Sequence, residues 1–65
     1  MSNIVLKEIA DSMPTIKKKM DELEDLIKAM QEVGQNTTTI SSQLSQIRAQ
    51  YKKYEYMLKK RGLLK

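Results

Sequence analysis

The stretch Gly34-Gln35-Asn36-Thr37-Thr38-Thr39 is the one extended uncharged polar run in a 65-residue chain otherwise crowded with lysine and glutamate. Its reading decides between one long helix and two helices folded back on each other. On its N-terminal side, apolar residues fall at Leu6, Ile9, Met13, Ile16, Met20, Leu23, Ile27 and Met30, in alternating steps of three and four. That is a heptad seam, with Leu6, Met13, Met20 and Ile27 at a and Ile9, Ile16, Leu23 and Met30 at d. On the other side, Ile40, Leu44, Ile47, Tyr51, Tyr54 and Leu58 make a second seam in steps of four and three. Carrying the first count past Met30 puts Gly34 and Thr37 in the seam and moves Ile40 off it. The register therefore breaks inside the polar run.

Gly34 is the residue expected just past a helix end, and Asn36 or one of the threonines can accept a backbone hydrogen bond at the next helix start. Folding the chain there matches the seams layer by layer. Met30 meets Ile40, Ile27 meets Leu44, Leu23 meets Ile47, Met20 meets Tyr51, Ile16 meets Tyr54 and Met13 meets Leu58, while Leu6 reaches the level of Leu64. A single rod with a four-residue stutter satisfies these layers only by dimerising in parallel along its whole length. The expected fold is all-α, an antiparallel helical hairpin of coiled-coil type forming a single domain over residues 1–65. Its first arm covers about 3–33, its turn 34–39 and its second arm about 40–61.

Pro14 removes a helical N–H and crowds the carbonyl four residues back, so a kink or a break is expected near it. The heptad spacing continues across Pro14 and favours the kink. At the far end, Lys59, Lys60 and Arg61 suit the last turn of a helix, Gly62 the left-handed position after it, and Leu63 a return onto Leu58.

Composition narrows the function. The chain has no cysteine, so neither a disulfide nor a thiolate metal site can staple it. It has no histidine, which removes the commonest general base and metal ligand, and it has no glycine-rich phosphate loop. Lysines and carboxylates on slender helices lack a water-excluding cleft in which to shift their pKa values. An enzyme, a cofactor and a small-molecule substrate are therefore not expected. The acidic cluster Asp21, Glu22, Glu24 and Asp25 lacks calcium-loop spacing and reads as a solvated helix face. No apolar run approaches the roughly 18 residues of a membrane span, and the opening "MSNIVLKEIAD" lacks the pattern of a secretory signal. A cytoplasmic location without membrane contact is the expectation.

What remains is association. Val5, Leu26 and Val33 lie at g beside the first seam and Met57 at g beside the second, widening each stripe toward the face of a bundle helix. Two helices side by side leave much of each seam side chain wet. The wider stripe predicts a four-helix bundle completed by dimerisation or by docking a partner helix. The candidate apolar contacts are Met13, Met20, Leu26, Met30, Val33 and Met57. Flexible thioethers adapt to partners, although seam methionines equally serve as core filling.

Charge is segregated along the sequence. From Arg48 onward there are seven basic residues and one acidic, whereas residues 1–45 carry five basic and seven acidic. Lys52, Lys53, Lys59 and Lys60 form an outward stripe with Tyr56 alongside and Arg61 beyond, and Lys17, Lys18 and Lys19 fall near the level of Lys53. This patch suits either steering of an acidic protein or contact with phosphates. The bland reading is a helix C-terminus complemented by its lysines, with ordinary i,i+4 pairs at Glu24–Lys28 and Glu55–Lys59. The leading functional reading is a non-enzymatic helical protein–protein interaction module, such as a small adaptor, assembly factor, chaperone or inhibitor. It binds itself or an acidic helical partner. The alternative is a dimeric helical nucleic-acid-binding regulator using the basic C-terminal helix, for which no base-reading motif is present.

Overall fold

A computed structural model describes residues 3–64. Two helices, α1 (Asn3–Glu32) and α2 (Thr38–Lys60), fold back on each other as a slender hairpin with Cα extents of 46 × 16 × 15 Å. No strand occurs among the described residues. The turn falls at the start of the polar run, where the register breaks, and Thr38 and Thr39 already belong to α2.

Both helices end in the same way, and glycine explains why. Gly34 has φ 76° and Gly62 φ 74°, a left-handed backbone that a side chain disfavours. At the end of α1, the Gly34 N–H donates to the Gln31 carbonyl at 3.1 Å and the Gln35 N–H to the Met30 carbonyl at 2.8 Å. At the end of α2, Gly62 donates to Lys59 at 3.0 Å and Leu63 to Leu58 at 2.9 Å. These are two Schellman motifs, each satisfying carbonyls that the helix itself leaves without donors.

The second helix starts at Thr38, earlier than the first apolar layer at Ile40 suggests. Asn36 is the cause: its Oδ1 accepts the Thr38 N–H at 2.8 Å. Thr37 then occupies the cap position without a side-chain cap bond of its own, and its carbonyl accepts the Ser41 N–H at 2.8 Å. The turn is thus confined to residues 33–37, and Val33 lies just outside α1.

Pro14 sits inside α1, which runs through it unbroken. The ring is on the exposed side, so its missing N–H deprives the Ala10 carbonyl of a donor without disturbing the packed face. Nearby, the Ser12 hydroxyl donates to the Ile9 carbonyl at 2.7 Å. Leu6, Ile9 and Met13 before the proline and Ile16 after it all pack in one cluster. Shared packing against α2 holds the two segments in line, and the expected alternative of a broken arm is not realised.

The core forms two clusters along the seam. Leu6, Met13 and Leu58 centre the open end, with Ile9, Ala10, Ile16, Tyr54, Met57 and Leu64 around them. Met20, Leu23 and Leu44 centre the turn end, with Ile27, Ile40 and Ile47 around them. Tyr51 packs against both clusters and joins them. The two clusters therefore divide the seam as folding it at the turn predicts, with Met13 and Leu58 in one and Leu23, Ile27, Leu44 and Ile47 in the other.

Candidate association surface

A heptad hairpin has two flanks beside its seam. Because one helix is reversed, e positions face e positions on one flank, and g positions face g positions on the other. The e flank is marked by an ion pair between Glu24 and Arg48, donated from the Arg48 Nη2 to the Glu24 Oε1. Glu24 thus reaches across to α2, where an in-helix pair with Lys28 was the expectation. Both side chains are nearly half exposed, so the pair fixes register more than it stabilises. The expected pair of Glu55 with Lys59 is present at the outer limit of 4.0 Å.

The g flank is different in character. Leu26 is 45% exposed and Val33 72% exposed, and Val5 at 42% continues the same line toward the open end. The three share a helix face because they are spaced by multiples of seven. Met57 is half-buried and packs against the open-end cluster. Of the other methionines expected at a contact, Met13 and Met20 are enclosed in the core and Met30 is half-buried near the turn. Antiparallel pairing explains this, since a positions point between the helices. Of the six candidate contacts, Leu26 and Val33 are therefore the two that stand exposed. Ile4, at 72%, is a further exposed apolar residue that heptad reasoning passes over because it falls outside the seam and its flanks.

Among the described residues the basic side chains all lie on the surface. Lys17, Lys18 and Lys19 on α1 and Lys52, Lys53, Lys59, Lys60 and Arg61 at the end of the chain are exposed, as is Tyr56 at 71%. Antiparallel pairing sets Lys17, Lys18 and Lys19 near the level of Lys52 and Lys53, about midway along the hairpin, with Lys59, Lys60 and Arg61 at the end away from the turn. A shallow open groove there is lined by Tyr56, Met57, Lys60 and Arg61, and a second by Leu6, Lys7, Arg61 and Leu63. Among the described residues no cluster of three or more carboxylates or other ligands is placed to hold a metal ion. No described helix is long and apolar enough to cross a membrane.

Fold and surface together define a class: an all-α helical hairpin with an apolar flank, an ion-paired flank and a basic open end. Comparisons with protein-family models, with curated proteins and with solved structures give no match for the chain.

Proposed function

We propose that this hairpin is a non-enzymatic helical interaction module that completes a four-helix bundle through its g flank, with a second hairpin or with a helical segment of another protein. The supporting observation is the position of Leu26 and Val33. Both stand on one flank of the seam, and the intramolecular core leaves both exposed. Burying such a stripe against apolar side chains of another helix contributes about 25 cal/mol per Å² of apolar surface removed from water. The basic open end orients the partner, because exposed lysines add little static energy yet raise encounter rates with an acidic surface.

A second reading has its own support, since Tyr56 stands exposed beside the lysine stripe and offers a stacking face among cations. Affinity capture from extract of the source cells separates the two. A stoichiometric protein partner that survives nuclease treatment and is lost in the Leu26→Glu/Val33→Glu variant is the result expected of the interaction module. Capture that disappears with nuclease and is unchanged by those substitutions establishes the nucleic-acid reading instead.

A further inference from the structure

From the distribution of charge along the hairpin, we infer that the partner on the g flank is a second copy of this chain, packed antiparallel so that each turn end lies over the other's open end. The inference rests on the interaction-module reading and specifies its partner. Taking the Met20–Tyr51 layer as the midpoint, the turn half (residues 20–50) carries five carboxylates against Lys28 and Arg48, a net charge of −3. The described open half (residues 3–19 and 51–64) carries nine basic and three acidic side chains, a net charge of +6. Each hairpin is therefore a rod with opposite charge at its two ends. Parallel stacking sets like ends together along the full length, whereas antiparallel stacking sets each acidic half over a basic one.

The apolar residues fit the same operation. Leu26 stands six residues turnward of Met20, and Met57 stands six residues beyond Tyr51 on the open side. Val33 and Leu64 are each thirteen residues from the same layer. A twofold axis through the Met20–Tyr51 layer thus brings Leu26 of one copy to the level of Met57 of the other, and Val33 to the level of Leu64. It also brings Lys19 of one copy near the level of Glu22 of the other, so the centre of the flank is matched in charge as well. A twofold of this kind makes a closed, self-complementary interface.

A single spin label tests the arrangement. The native chain has no cysteine, so Gln35→Cys, at an exposed turn position, carries the only label. At a 1.5 Å rise per residue, antiparallel copies place the two labels about 35–45 Å apart, whereas parallel copies bring them within roughly 10–20 Å. The expected result is a concentration-dependent dipolar signal at the long distance. Raising salt from about 0.1 to 1 M, which shortens the screening length from about 10 to 3 Å, is expected to weaken the dimer about tenfold. A short distance overturns the arrangement, and so does a dimer that tightens with salt. A protein that remains monomeric at every concentration, or pairs only when oligonucleotide is added, overturns the choice of partner. The interaction-module reading is judged separately, by whether the Leu26→Glu/Val33→Glu variant loses a captured protein.

Discussion

Gly34 and Gly62 do the same work at opposite ends of the hairpin, and neither does it by making room. A Cβ at either position meets nothing within 4 Å, so the requirement comes from the positive φ alone. Gly34→Ala is accordingly expected to cost about 1–2 kcal/mol in urea unfolding, with Gly34→Asn costing less because asparagine tolerates the left-handed region. Leu58, with no exposed surface, is the opposite case. Leu58→Ala is expected to cost about 2–5 kcal/mol, whereas Leu26→Ala in dilute solution costs less than about 1, and comparing their unfolding midpoints checks the contrast. Both glycines are legible from sequence because backbone geometry singles them out. Asn36 is less so: several of its neighbours are equally competent to cap, and only the folded turn selects its Oδ1.

At the scale of the element, α1 tolerates Pro14 because the ring lies on the exposed side while the inner face is held by α2. Pro14→Ala restores a donor for the Ala10 carbonyl and removes a poor helix former without losing core contacts. It is expected to raise stability by about 1–3 kcal/mol, read from thermal or urea unfolding at fixed protein concentration. The Glu24–Arg48 pair spans the two elements, but both groups are well hydrated. A double-mutant cycle is expected to give a coupling of about 0.2–1 kcal/mol. Heptad letters place both residues at e, so this contact is readable once the hairpin is assumed. Reading α1 in isolation instead directs Glu24 to Lys28, because a single helix shows only its own neighbours. The turn between the elements carries no core residue. Inserting four glycines after Gln35 is expected to cost no more than about 1 kcal/mol, through the slow growth of loop-closure entropy.

At the scale of the whole molecule, the seam is legible in the sequence because its burial is satisfied within the chain: Met13 is enclosed in a cluster with Leu6, Leu58 and the partly buried residues of the same hairpin packed against them. The g flank is not legible in the same way, because whatever covers Leu26 and Val33 lies outside the hairpin. Periodicity marks both residues as surplus to the seam, and charge segregation indicates how a second copy best lies across them. Sedimentation equilibrium of the native chain beside the Leu26→Glu/Val33→Glu variant addresses this most directly. A flank built for association predicts that the 7.6 kDa native chain approaches twice that mass at micromolar concentration, while the variant stays monomeric and loses stability only slightly. Native and variant chains that are both monomeric and equally stable across that range, with no protein partner distinguishing them, contradict an association surface on the g flank.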